Sequence, residues 1–315
     1  MTDHPTADAP LRIGTRGSPL ALAQAHETRA RLMAAHGLPE DAFAIVVIKT
    51  TGDRILDRPL KEIGGKGLFT REIEDDLLAG RIDLAVHSMK DMPTLQPEGL
   101  VIDCHLPRED VRDAFVSLDG RGLGDLPEGA VVGSSSLRRR AQLALRRPDL
   151  RLVEFRGNVQ TRMRKLGDRV ADATFLAMAG LNRLGLAEVP RTAVDPSDML
   201  PAVAQGAIGI ERRAADARVA ALLDPIHDRD TGLRLACERA FLRALDGSCE
   251  TPIAGLAELD GDRLRFRGEI LRPDGSDVLS EAGEGAATEG AALGEACARA
   301  LLERAPAGFF DWRAA

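Results

Sequence analysis

Apolar and polar positions alternate along this chain with two periods, and the changes between them outline its elements. Residues 11–14 read as a short strand, and Ser18-Pro19 supply an N-cap and a first-turn proline for a helix running to about Ala35 and closed by Gly37. Residues 43–49 form a β-branched strand. Residues 50–67, with Gly52, Pro59, Gly64, Gly65 and Gly67, read as a long polar loop, expected to be mobile. An amphipathic helix over 69–79 and a strand over 83–87 complete a β–α–β order, which predicts a mainly parallel sheet. Asp119-Gly120-Arg121-Gly122 look like a boundary. Beyond them the pattern restarts with strand 131–133, helix 136–147, strand 152–155, helix 158–166 and strand 173–177, a second α/β domain. Residues 196–201 lead into 202–210, and a third segment starts near Asp230. It offers helix 231–245, strands 253–259 and 263–270, and an Ala-rich helix over 287–305. Leu264, Phe266, Gly268 and Ile270 alternate with Arg263, Arg265, Arg267 and Glu269, the pattern of an antiparallel sheet with one face in solvent. Residues 281–297 are merely rich in Ala, Gly and Glu, and no internal repeat is found.

At 315 residues the length suits two domains, or three small ones. Nine Phe, one Trp and no Tyr leave the cores to Ala, Leu, Val and Ile. Cys104, Cys237, Cys249 and Cys297 form no CxxC pair and meet no His cluster at metal spacing, which argues against a zinc site and a disulfide framework. Residues 1–10 lack the layout of a signal peptide, and no apolar run approaches the roughly 18–20 residues of a membrane span. The expectation is a soluble, cytoplasmic protein without a membrane partner.

Charge changes the picture most. The chain carries a net −7, yet residues 131–170 hold ten Arg and one Lys against Asp149, Glu154 and Asp168, a local surplus of eight positive charges. Such a concentration implies an anionic partner, and arginine's planar fork suits carboxylate or phosphate. Gly133-Ser134-Ser135-Ser136 sit between a predicted strand and helix, where backbone N–H groups and hydroxyls make an anion site or simply a serine N-cap. Arg138-Arg139-Arg140 in that first turn oppose the helix dipole and need a reason. Arg156-Gly157-Asn158 repeat the arrangement, and Arg16-Gly17-Ser18 place a third cation and hydroxyl at a helix start.

His87-Ser88-Met89-Lys90-Asp91 follow a strand end, where ligands gather in parallel sheets. Lys90 and Asp91 are either a solvated ion pair or, in a basic cleft, a lone carboxylate able to accept N–H bonds or stabilise a developing cation. Gly64-Gly65-Lys66-Gly67 lack the spacing of a phosphate loop and have Leu68 where Ser or Thr is required. Cys249 stands in a turn-forming stretch, 246–252, and is more accessible than Cys237; an isolated cysteine is more often structural than reactive. The basic segment has only Phe155 as an aromatic, a poor platform for nucleic acid.

These stretches, in this order, resemble the porphobilinogen deaminase (hydroxymethylbilane synthase) family. The matching residues are 12–21, 64–69, Val86-His87-Ser88-Met89-Lys90-Asp91, 133–139, 156–162, 200–207 and Gly247-Ser248-Cys249, and the match covers 11–312. The resemblance implies an α/β fold of two periplasmic-binding-protein-like lobes with mainly parallel sheets, plus a small α+β C-terminal domain with an antiparallel sheet. Domain 1 would be 10–106 and 202–225, domain 2 would be 107–201, and domain 3 would be 229–315. It implies a dipyrromethane cofactor attached covalently as a thioether to Cys249, and a reaction in which four porphobilinogen molecules add head to tail with loss of ammonia. Hydrolysis then frees hydroxymethylbilane. Asp91 would be catalytic, stabilising positive charge at the pyrrole N–H groups. Lys90, Ser134, Ser135, Ser136, Arg138, Arg139, Arg162 and Arg183 would bind the cofactor, and Arg16, Ser18, Lys66, Ser88 and Arg156 the substrate. The partners would be porphobilinogen and the growing oligopyrrole, with no nucleic acid, no membrane and no metal, and the enzyme a monomer. Arg140, Arg146 and Arg147 fall outside the matching positions and read as solvated helix surface, and 50–67 would be a flap. Ser134 stands where Thr is common and Ser248 where Gly is common. The alternative is a two-lobed anion-binding module without catalysis.

Overall fold

The computed structural model describes residues 4–54, 70–247 and 251–313. The chain divides into two units, residues 1–109 with 207–232 and residues 110–206 with 233–315.

In unit 1 the chain runs through β1 (Leu11–Arg16), α1 (Pro19–His36), β2 (Phe43–Ile48), α2 (Arg71–Leu78), β3 (Leu84–Ser88) and β4 (Leu100–His105), then leaves and returns as β10 (Ile208–Arg213) and α6 (Ala217–Leu223). The α1 boundaries follow from local chemistry. Ser18 is extended and its hydroxyl accepts from the Ala21 N–H, Pro19 opens the first turn, and Gly37 closes the helix in the left-handed region at φ 64°. The strand order is β2-β1-β3-β10-β4. β1 is parallel to β2 and β3, but β10 is antiparallel to both β3 and β4. The expected mainly parallel sheet is therefore mixed. Helical crossovers impose parallel pairing, and β10 arrives from elsewhere in the chain without one. One face buries Ile13, Val86 and Ile210 with Ala25 and Leu32 of α1. The other buries Ala85, Ile82 and Ile48 with Ile73 and Leu77 of α2.

Unit 2 begins with a lobe of the same strand arrangement. Its elements are β5 (Asp113–Ser117), β6 (Val131–Gly133), α3 (Leu137–Arg146), β7 (Arg151–Val153), α4 (Val159–Gly167), β8 (Ala173–Ala177), α5 (Met178–Arg183) and β9 (Arg191–Ala193), in the sheet order β7-β6-β8-β5-β9. β6 is parallel to β7 and β8, while β5 is antiparallel to β8 and β9. Since β5 belongs to this sheet, the glycine-rich stretch 119–122 is a loop inside the lobe, not the boundary its composition suggested.

Unit 2 also contains the antiparallel sheet β11 (Ile253–Asp260), β12 (Arg263–Leu271) and β13 (Val278–Ala286). α7 (Arg229–Ala244), which begins in unit 1, precedes it and α8 (Gly290–Arg304) follows. Leu264, Phe266 and Ile270 are buried, whereas Arg263 and Arg265 pair with Glu284 on the wet face, as the alternation predicted. The rings of Phe241 and Phe266 pack 4.8 Å apart. Gly294 lets α8 lie against α7: a β-carbon there would stand 2.2 Å from the Cys237 carbonyl oxygen. Among the described residues no helix is long and apolar enough to cross a membrane.

Gly294→Ala should therefore force α7 and α8 apart and destabilise unit 2 by about 1–3 kcal/mol. A urea midpoint equal to the parent's would show that this contact is not tight.

Candidate active site

β1 and β3 are parallel neighbours, so their carboxyl ends share one edge of the unit 1 sheet. From this edge come Arg16 at the end of β1 with Ser18 just beyond it, and Ser88 at the end of β3 with the single turn Met89–Asp91 following. A pocket of about 80 Å³ opens there, lined by Arg16, Ser18, Gln24, His87, Ser88 and Asp91 among others. Ser88 and the buried Gln24 of α1 exchange hydrogen bonds, the amide donating at 2.8 Å and the hydroxyl at 3.0 Å. Asp91 is exposed and forms no ion pair among the described residues, so the solvated Lys90–Asp91 pair is not what the structure holds. A carboxylate beside Arg16 at a strand end can accept N–H donors from a ligand. Gln24 and His87 were not among the candidate site residues, although His87 lies inside the motif that carries Asp91.

In unit 2 the arrangement centres on Asp113. As the first residue of antiparallel β5 it stands opposite Ala177, the last of β8, and so lies at the edge where the parallel strands end. Its side chain is fully buried. Arg138 donates to both carboxylate oxygens, at 2.7 and 3.1 Å, and Arg139 to one of them through Nε at 3.2 Å and Nη2 at 2.8 Å. Gln205 adds a donor at 2.9 Å. Arg138 also reaches the Leu200 carbonyl, and Arg139 that of Phe175. Burial alone would raise the Asp113 pKa, but the two guanidinium charges outweigh it and hold the carboxyl well below its ordinary value. Both arginines are thus turned inward onto Asp113, while Arg138 Nε has no hydrogen-bond partner among the described residues. Arg147 departs from expectation: it holds the carbonyls of Leu123 and Leu126 and pairs with Asp149. Arg140 is half-buried, 3.7 Å from Glu154, and Arg146 is exposed as expected.

The three serines shape the turn into α3. Ser134 accepts from the Ser136 N–H, Ser135 from that of Phe155, and Ser136 caps the helix at Arg139. Each acceptor bond leaves the hydroxyl hydrogen to donate. Arg156 is half-buried on the loop before α4, and Arg183 is half-buried at the end of α5. Arg162 donates to the carbonyls of Gly157 and Phe175 and pairs with no carboxylate among the described residues. Burial first, and then the charge of Arg139, push its pKa down to about 10. The Glu154 charge offsets these effects only in part, so a half-buried cation stands beside another cation with room for a further anion. A dipyrromethane carrying acetate and propionate groups supplies one, so these residues fit that group.

Cys249 and Lys66 lie outside the described residues, as do Ser248 and most of the expected flap. Cys104, Cys237 and Cys297 are buried and free. Burial, with help from the Asp103 charge, pushes the Cys104 thiol up to about 12, and burial raises the other two, so none of the three is suited to act as a thiolate.

Asp113→Asn would leave two guanidinium groups buried without their anion, at a cost of about 3–5 kcal/mol at neutral pH. Because the native carboxyl has a lowered pKa, its stabilisation is complete above the unfolded value of about 3.9 and is lost as pH falls through the native one. The gap in urea stability between parent and variant should accordingly shrink as pH drops below about 4; a gap independent of acid would remove Asp113 from this role.

Among solved structures the chain is similar to the VFT2 domain of Bordetella pertussis BvgS, at 15% identity over 69% of this chain and 85% of that one, with a TM-score of 0.41. It is similar to an ancestral cationic amino acid solute-binding protein at 15% identity over 69% and 86%, TM-score 0.40. The porphobilinogen deaminase of Paracoccus denitrificans (strain Pd 1222) is 74% identical over 312 residues, 99% of this chain and 100% of that protein. The family model for the dipyromethane cofactor binding domain of porphobilinogen deaminase matches residues 11–221, and that for its C-terminal domain matches 233–303. With both domains matched in order and a full-length relative at this identity, the chain belongs to the porphobilinogen deaminase family.

Proposed function

We infer that the chain is a transferase performing its family's reaction: four porphobilinogen molecules are joined head to tail with release of ammonia, and hydrolysis frees hydroxymethylbilane. The observation that carries this is the 74% identity to a porphobilinogen deaminase over essentially the whole length. An anion-binding module without catalysis is not favoured by such a match. When bound, the dipyrromethane supplies the primer on which the chain grows.

The protein's own residues divide the work. Asp91, exposed at the edge of its pocket, accepts the pyrrole N–H groups and stabilises positive charge through deamination and coupling. Arg16, Ser18, Ser88, Arg156 and Lys66 receive the acetate and propionate groups of the substrate. Lys90, Arg162, Arg183 and the hydroxyls of Ser134, Ser135 and Ser136 hold the cofactor, and Cys249 anchors it. Arg138 and Arg139 join them in holding the cofactor, from a frame anchored on Asp113 beneath that turn. The enzyme works in the cytoplasm as a monomer, which light scattering at the mass of one chain would check.

Asp91→Ala should keep the fold and the cofactor but lose turnover by at least about a hundredfold; near-normal activity would reject the assignment. The intact mass of the denatured protein should exceed that of the chain by two pyrrole units, located on the Cys249 peptide. Cys249→Ala should abolish that excess, and a cofactor still attached would place the anchor elsewhere.

A further inference from the structure

β3 sends its last two residues to opposite faces of the sheet. Ser88 meets Gln24 of α1, whereas His87 turns to the face covered by α2. There its Nε2 lies 3.0 Å from Oε2 of Glu211, on β10. In the antiparallel register His87 stands opposite Gly209 and Glu211 opposite Ala85, a diagonal pair on one face. At Gly209 a β-carbon would lie 2.0 Å from the Met89 sulfur, so any larger residue there would force that side chain to move. Glu211 is fully buried, and its second oxygen, Oε1, has no hydrogen-bond partner among the described residues. Glu74 of α2 faces the same pair; burial, then the Glu211 charge, raise its pKa, against a hydrogen bond from Thr70 and the charge of His87. Arg16 and Asp91 are the other charged residues among the described ones that line the pocket with it. A buried carboxylate with half its hydrogen-bonding capacity unused calls for an explanation, and its one partner is a residue that lines the pocket.

We propose that His87, oriented by Glu211, is the base that takes up the proton released when each new carbon–carbon bond forms. This rests on the functional reading above. With Nε2–H donated to Glu211, Nδ1 is the nitrogen left to accept, the division of labour by which a buried acid sets a catalytic imidazole's tautomer. Porphobilinogen's aminomethyl group enters as ammonium, and its C–N bond breaks with the electron pair leaving on ammonia. The free α-carbon of a porphobilinogen-derived terminal pyrrole then forms the new bond. Its C–H bond breaks, the electron pair returns to the ring, and the proton passes to Nδ1 of His87. The imidazolium hands that proton to ammonia, so each addition releases one ammonium ion and restores neutral His87. Asp91 is thereby free to stay ionised throughout.

The test uses the cofactor-loaded enzyme, with loading verified by intact mass, and porphobilinogen deuterated at its free α-carbon. His87→Gln should slow turnover by about 10²–10⁴-fold. It should also abolish the acid limb of the kcat/KM profile in the imidazole range and enlarge the α-deuterium isotope effect. Glu211→Gln should slow turnover as well, since the ring loses the acceptor that fixes its tautomer; if this fully buried change prevents folding, His87→Asn repeats the first test. Independently of turnover, NMR of ring-labelled histidine in the unaltered protein should find neutral His87 protonated on Nε2. A slower His87→Gln enzyme with the parent's pH limb and isotope effect would make the residue structural only and overturn the proposal, as would a neutral ring protonated on Nδ1. Failure of the parent enzyme itself to consume porphobilinogen would instead reject the functional reading.

Discussion

A carboxylate shut away from water organises the arginine-rich lobe. Asp113 cannot be hydrated, so it is tolerable only with its counter-charges in place, and it takes two, from adjacent positions at the start of α3. That requirement fixes where α3 begins relative to β5. With α3 fixed, Ser136 caps it and the serine turn is positioned over the ends of β6 and β7. Two cations against one anion leave the cluster with a net positive charge, and Arg162 adds another beside it without a carboxylate of its own. The buried ion pair therefore does more than stabilise. It holds positive potential at the edge of the sheet on groups that cannot swing away.

Both lobes place an acid on the antiparallel strand that lies one in from the sheet's edge. In unit 2 this is Asp113 on β5, facing Arg138 and Arg139; in unit 1 it is Glu211 on β10, facing His87. The chemistry differs because the partners differ. An arginine pair keeps its charge at any working pH, so Asp113 builds a permanent frame. An imidazole can both accept and give up a proton, so the same placement of an acid gives a group able to exchange protons. One topological position, a strand entering against the parallel run, thus serves both electrostatic support and proton handling.

Legibility in the sequence followed the range of the interactions. α1 was readable to within a residue because Ser18, Pro19 and Gly37 act on their own neighbours. The wet face of β12 was readable because charges alternate with apolar residues. β5, by contrast, is buried on both faces, so no alternation marks it, and β10 is a short apolar run ending in charges. β13 carries Gly283 and Gly285 on its inner side and Ala282 and Ala286 on its exposed one, too little apolar contrast to register. The site was legible in its motifs and illegible in its wiring. Nothing local tells that Arg138 points inward, since the acid that turns it lies 25 residues away and meets it only when β5 joins the sheet. Gln24 and Ser88 are 64 residues apart for the same reason.

The choice of arginine over lysine across residues 131–170 has a structural basis beyond anion recognition. Arg139 binds Asp113 with Nε and Nη2 while Nη1 reaches the Phe175 carbonyl, so one side chain ties α3 to β5 and to β8. Arg138 does the same between Asp113 and the Leu200 carbonyl. An ammonium could match the charge but not these separated directions at once, and its stem would leave one carbonyl in the interior without a donor. Rigid placement also lowers the cost of receiving a charged ligand. Donors fixed before the ligand arrives lose little entropy on binding it, and an anion entering beside Arg162 meets a field already directed at it. The same residues that make the lobe costly to fold without Asp113 are thus the ones that keep its charge in position.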